Sequence, residues 1–164
     1  AARALEEIRA GAALTLDASP TLGGLRVLPE TTLDDLDESD IDLLLLPGGN
    51  TWLDGDHSAA LALASRLLDS DRQVAGICGA TRALARAGLM EHRAQVVDAD
   101  ADEPDYPGSA ARVHASIAHD GPLITAIGEA PLEFSRAVFM ALDLDDQAGI
   151  ETWYASFKGV PDAR

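Results

Sequence analysis

Seven consecutive residues constrain this chain more than any others: Ala75-Gly76-Ile77-Cys78-Gly79-Ala80-Thr81. They carry an apolar run, Val74 to Ile77, into a helical pattern, Ala80 to Ala87, with the only cysteine at the junction. A strand that turns sharply into a helix presents the turn residue at the carboxyl edge of a sheet. It also aims the first free N–H groups of the helix at whatever binds there. A thiol in that place has its thiolate favoured by the helix dipole, and the thiolate is the reactive form. A small, buried, apolar Cys at a strand end fits the same residues. The segment alone carries both readings.

The flanking pattern extends the strand-helix theme. Asp42 to Leu46 reads as a strand buried on both faces, because burying one Leu is worth ~1.5–3 kcal/mol and a run of leucines left in water would forfeit much of a domain's stability. Further strands are expected over Ala12–Asp17, Leu25–Leu28, Gln73–Ile77, Gln95–Asp98, Arg112–Ala118 and Leu123–Ile127, the last two joined at Asp120-Gly121. Helices are expected over Ala1–Ala10, stopped by Gly11, and over His57–Leu68, Ala80–Ala87, Pro131–Leu142 and Asp146–Phe157. The acidic stretch from Thr32 to Asp40 reads as surface helix or turn, and Asp98 to Ser109 as a loop. Alternating strands and helices imply an α/β fold with a mostly parallel sheet covered on both faces, a three-layer sandwich. Ligands of such sheets bind beyond the carboxyl ends of the strands, where Pro47-Gly48-Gly49 and Cys78 both fall. The 164 residues fit one domain, 1–164.

Charge narrows the function classes. The net charge of −16 argues against nucleic acid, whose binders carry basic surfaces. No apolar run approaches the ~20 residues of a membrane helix, and no signal-peptide pattern opens the chain. One cysteine excludes an internal disulfide framework and agrees with a cytoplasmic setting. No metal and no cofactor are expected. Lys158 is the only lysine, and the acids are mostly Asp. Such a surface stays soluble at high salt; a GC-rich genome produces the same residue usage. Unfolding across a KCl series separates the two: a salt-adapted chain gains stability at molar KCl, and an unchanged midpoint removes that reading.

Two elements taken together resemble a known family. Asp42-Leu43-Leu44-Leu45-Leu46-Pro47-Gly48-Gly49-Asn50-Thr51-Trp52, followed by Gly76-Ile77-Cys78-Gly79-Ala80-Thr81, is similar to the ThiJ/PfpI superfamily, the class I glutamine amidotransferase-like fold. Gly23 to Pro29, Ala85 to Leu89, Ala130 to Phe134 and Trp153-Tyr154 resemble a bacterial branch often labelled glutamine amidotransferase. The resemblance covers nearly the whole chain. It implies a flavodoxin-like sheet with a nucleophile elbow at Cys78, and it makes Gly48, Gly49 and Gly79 the source of backbone N–H groups at the site. Glycine lets backbone approach a ligand, and convergent N–H groups stabilise an oxyanion. A tight turn after a strand also explains Gly48-Gly49; the site reading is preferred because both lie beside the Cys78 turn. Asn50, Trp52, Thr81 and Gln95 become pocket candidates.

The departures matter as much. Family members usually place a His beside the thiol, and counting along the chain assigns that slot to Gln95, which cannot exchange a proton near neutral pH. His92, His57 and His119 read as solvated, His114 as a sheet-face residue. No His follows His119, so true glutaminase activity is not expected. The family's first strand, and the acid after it that meets the thiol, would lie upstream of Ala1. A longer natural protein, or a strand from a neighbouring chain, is therefore expected.

The resemblance leads first to a cysteine enzyme acting on a small electrophilic or amide-like substrate, of the hydrolase, hydratase or glyoxalase-like kind. Two alternatives are a stress-response protein in which Cys78 is reversibly oxidised, and a non-catalytic binding member of the fold. A homodimer is expected. Trp52, Trp153 and Tyr154 are candidates for its interface, although Trp153-Tyr154 reads first as helix packing.

Overall fold

The structure is a computed structural model that describes residues 12–13, 19–21, 23–98 and 106–159. The expected helix over Ala1–Ala10, most of the strand after Ala13, and residues 99–105 of the acidic loop lie outside them.

Two short strand pairs come first. Ala12–Ala13 (β1) runs parallel to Thr31–Thr32 (β4), and Ser19–Pro20 (β2) pairs antiparallel with Arg26–Val27 (β3). The acidic stretch that follows is turn, ending in one 3₁₀ turn over Glu38–Asp40 capped by Asp37. Arg66 bonds Glu38 at 2.6 Å, and the Arg72 guanidinium donates to the carbonyls of Glu38, Ser39 and Ile41.

The central sheet contains Leu43–Leu46 (β5), Gln73–Ile77 (β6), Ile117–Asp120 (β7) and Leu123–Ala126 (β8) in the order β5-β6-β8-β7. The first three in that order are parallel, and β7 is antiparallel to β8. Asp120 pairs with Leu123, so the hairpin loop is Gly121-Pro122, one residue later than the sequence suggested. Gly121 takes φ 58° at the first loop position, a conformation that favours glycine.

Five helices complete the described fold: Thr51–Asp54 (α1), Ser58–Asp69 (α2), Gly79–Arg86 (α3), Pro131–Ala141 (α4) and Gln147–Lys158 (α5). Alternation along the strands divides the core. Val74 of β6 and Leu123 of β8 join Leu63, Leu67, Ala80 and Leu84 of α2 and α3 on one face. Ala75, Ile124 and Ala126 meet Phe134 and Val138 of α4 on the other. The result is three layers, as expected for the class.

Three expectations are corrected. Asp42–Leu46 is not buried on both faces: Leu46 is buried, but Leu45 is 46% exposed. Among the described residues β5 is an edge strand of this sheet, and on the face where Leu43 packs with Phe134 and Val138 of α4 Leu45 is left exposed. The expected strand over Arg112–Ala118 begins only at Ile117, since Arg112 makes a lone bridge to Gln95 and the residues between are bends. His114 is consequently an exposed loop residue and lies outside the sheet.

α5 packs on α4. Trp153 stacks against Phe139, with ring centroids 4.7 Å apart, and Tyr154 Oη donates to Glu133 at 3.0 Å. This is the helix-packing role read for Trp153-Tyr154. Lys158 and Tyr154 hold the Glu133 carboxyl below the usual carboxylate range, Lys158 most strongly. No helix among the described residues is long and apolar enough to cross a membrane.

Candidate active site

Cys78 is the single residue between β6 and α3. Its N–H is held by the Ala126 carbonyl at 3.0 Å, continuing the β6–β8 pairing, and its own carbonyl receives the Thr81 N–H at 3.0 Å. The chain must leave the sheet and start the helix across one residue. Cys78 therefore takes φ 58° and ψ −132°, a region that side-chain-bearing residues avoid. Strain of this sort costs on the order of 1–3 kcal/mol and persists only when neighbours enforce it. Cys78→Gly should consequently be more stable than Cys78→Ala by about 1 kcal/mol, read as a shift in denaturation midpoint. Equal midpoints would mean that the turn is unstrained.

Backbone crowds the thiol. A methyl group on Gly48 would lie 2.8 Å from Cys78 Cβ and 3.5 Å from Sγ. A methyl on Gly79 would lie 2.6 Å from the Gly49 carbonyl oxygen. Gly48, Gly49 and Gly79 are thus brought together around Cys78, and the Gly79 N–H favours the thiolate. Trp52 closes over Gly79, its Nε1 donating to the Pro47 carbonyl at 2.8 Å and its ring 4.3 Å from that of His57. Asn50 is exposed at the start of α1 and makes no side-chain cap bond.

Thr81 is fully buried, and its Oγ1 donates to the Cys78 carbonyl at 2.7 Å while accepting the Asp98 N–H at 2.9 Å. It ties the start of α3 to a distant segment, and that segment brings the residue the sequence did not single out. Gln95 to Asp98 runs extended beside the sheet, held by Val96 N–H on Thr125 Oγ1 at 2.8 Å and by Val113 N–H on the Gln95 carbonyl at 2.8 Å. Only Gln95 forms a bridge, so the expected strand is an extended tether.

Gln95 does not reach the thiol. Its amide is buried and donates to the carbonyls of Met90 and Gly108, at 2.9 and 3.0 Å. Asp98, three residues on and so on the opposite side of an extended segment, meets the sulfur instead. The Asp98 carboxylate lies near enough to help burial push the thiol up. Asp98 Oδ2 also accepts the Gly128 N–H at 3.1 Å, and a methyl on Gly128 would lie 3.0 Å from Oδ2 and 3.2 Å from Sγ. Gly128 thus marks where thiol and carboxylate converge. A carboxylate at the carboxyl end of a strand-like run is the signal in the sequence.

The electrostatics run against the expected thiolate. Burial pushes the Cys78 thiol up, and the charges of Asp98 and Glu129 add to it; the Gly79 N–H pulls the other way. Of the charged groups acting on the sulfur, both are anionic, and no His is among them. His92 and His119 are exposed as expected, and His57 is half-buried, its Nε2 2.7 Å from the Thr51 carbonyl. The described residues contain no cluster of His, Cys, Asp and Glu able to hold a metal.

The chain has recognisable relatives. Residues 10–141 match the model of the DJ-1/PfpI family. A Bacillus subtilis protein named as an uncharacterized protease, YoaZ, is 36% identical over 139 residues, which span 82% of this chain and 66% of that protein. The chain thus spans about two thirds of that relative's length. Among solved structures, a thiJ/pfpI family protein from Bacillus anthracis superposes with a TM-score of 0.78 at 34% identity, over 85% of this chain and 68% of that one. A DJ-1 superfamily protein from Agrobacterium tumefaciens does so with a TM-score of 0.75 at 34% identity, over 88% and 80%.

Proposed function

We propose a function from one premise: the chain belongs to the DJ-1/PfpI family. In our reading it is a cysteine enzyme in which Cys78 attacks the electrophilic carbon of a small carbonyl or amide-like substrate. The observation that carries this reading is the pairing of a strained, glycine-walled thiol with a carboxylate, Asp98, at the start of α3. Attack needs a carbon within reach of Sγ, donors for the developing oxyanion and a place for the thiol proton. The Gly79 N–H lies at the sulfur, and the Gly48-Gly49 backbone borders it. The B. subtilis relative's name, protease, agrees with amide-like chemistry.

A resting sensor of peroxide needs a thiolate. A thiol pushed up by burial and by the Asp98 and Glu129 charges suits that role less well, which favours the enzyme reading over the redox one. The test uses p-nitrophenyl acetate as an activated carbonyl probe. Wild type should gain one acetyl group on Cys78 by intact mass and release p-nitrophenolate, and Cys78→Ser should do neither. Equal p-nitrophenolate release by the two proteins would defeat the reading.

A further inference from the structure

We propose that the chain carries a separate binding groove, centred on Arg112, for a small organic anion: an apolar body that ends in one carboxylate. The groove stands apart from the thiol, since neither Cys78 nor Gly79 lines it, and it goes beyond the cysteine-enzyme reading without depending on it.

The groove is built by local ties at the edge of the sheet. Residues 112–116 lead from the lone bridge at Gln95 into β7. Val113 N–H on the Gln95 carbonyl at 2.8 Å fixes one end of this loop, and Ile127 N–H on the Ser116 carbonyl at 3.0 Å fixes the other. A cavity of about 400 Å³ lies between the loop, Val96-Val97 and Ile127, within the size range of small-molecule sites. Val96 and Val97 are buried, so the core holds that apolar wall in place.

Arg112, His114 and Ser116 supply the polar side of the groove. The Arg112 guanidinium donates to the Val97 carbonyl at 3.3 Å, which orients it and leaves its other N–H groups without a partner among the described residues. A guanidinium presents its donors as a planar fork that matches the two oxygens of a carboxylate. The His114 ring and the Ser116 hydroxyl each add a donor.

The charge pattern around Arg112 carries the inference. In a chain of net charge −16, cations elsewhere meet acids: Arg66 meets Glu38, Arg136 meets Glu151, and Lys158 meets Glu133. Arg112 forms no ion pair among the described residues. The acids that end the neighbouring segments are already engaged, Asp98 by the Gly128 N–H at 3.1 Å and Asp120 by the Ala94 N–H at 2.7 Å. A positioned, half-buried guanidinium is thus left for a ligand to neutralise. One guanidinium balances one negative charge, and the field of an acidic protein opposes a second. Inorganic phosphate would also leave the valine and isoleucine walls unmatched, whereas a monocarboxylate with an aromatic or branched body covers both sides.

The test titrates the protein at neutral pH with phenylacetate, phenylacetamide and inorganic phosphate, following the backbone amide resonances of 112–116 and Ile127 by NMR. Phenylacetate should shift them saturably. Phenylacetamide and phosphate should each bind about tenfold more weakly or worse, for want of the charge or of the apolar body. Arg112→Ala should weaken phenylacetate by about tenfold and leave phenylacetamide unchanged, with the resonances of α4 and α5 unmoved as the sign that the fold is kept. No saturable shift with phenylacetate would overturn the site. Equal binding of acid and amide would overturn the recognition of charge, and phosphate binding as tightly as phenylacetate would overturn the organic class. These wild-type arms do not depend on the variant folding. Folded Arg112→Ala that binds phenylacetate as wild type does would also overturn the proposal. Acetylation of Cys78 by p-nitrophenyl acetate is a separate readout, so either reading can fail alone.

Discussion

Iodoacetamide should label Cys78 slowly at pH 7, with the rate climbing only above the ordinary thiol range near pH ~8.5. Two opposed effects act on this sulfur. A helix N-terminus and the Gly79 N–H favour the thiolate, and sequence position alone suggests that they dominate. Burial and the charges of Asp98 and Glu129 oppose them and win. A free thiol is ~3% ionised at pH 7, and Cys78 should be ionised less, so labelling should run severalfold slower than that of free cysteine. Asp98→Asn removes one anion, so its profile should move to lower pH.

The same shift has a stability consequence with a definite sign. The folded protein holds the thiol proton to higher pH than the unfolded chain does. The contribution is complete below the unfolded thiol's range and is lost as pH rises through the folded value. Wild type should therefore lose more stability than Cys78→Ser between neutral and alkaline pH. Labelling that stays fast well below pH ~8.5 would show that the helix terminus dominates after all.

Leu84→Ala should destabilise the fold by ~2–5 kcal/mol, as measured for buried leucines that leave a cavity. Leu84 has 0% exposure and joins Val74, Ala80, Met90 and Leu123 in one core. Its Cδ1 lies 2.9 Å from where a methyl on Gly76 would stand, so α3 is seated directly on β6. No neighbouring side chain at Gly76 can fill the space. Against a typical total of ~5–15 kcal/mol, such a loss is large. Because Cys78 begins α3, loosening that helix should also relax the positive φ and speed alkylation. A midpoint shift equivalent to under ~1 kcal/mol would mean that α3 is held by something other than this contact.

Much of this architecture is legible in the residues. The continuous apolar runs of β6 and β8, the Gly121 turn, Pro131 opening α4 and the Cys78 junction are all local: each depends on residues within a few positions of one another. Where the reading failed, the cause was distance along the chain. Leu45 looks like core because it is a leucine among leucines, yet its exposure depends on what packs over the strand in space. A count along the chain puts Gln95 beside the thiol, whereas its amide is held by Met90 and Gly108, and side-chain bonds from Thr125 and Thr81 set where that segment lies.

The sequence by itself determined the class of fold and the residue at its centre. A strand pattern that breaks at Cys78 into a helix has few places to put a thiol. The chemical state of that thiol was decided only by tertiary structure. Burial first, and then Asp98 and Glu129, residues twenty and more positions away, push the thiol up, and Gly128 and Thr81 hold Asp98 in place. Electrostatic energy depends on separation in space and on burial, and neither is written in the order of the residues.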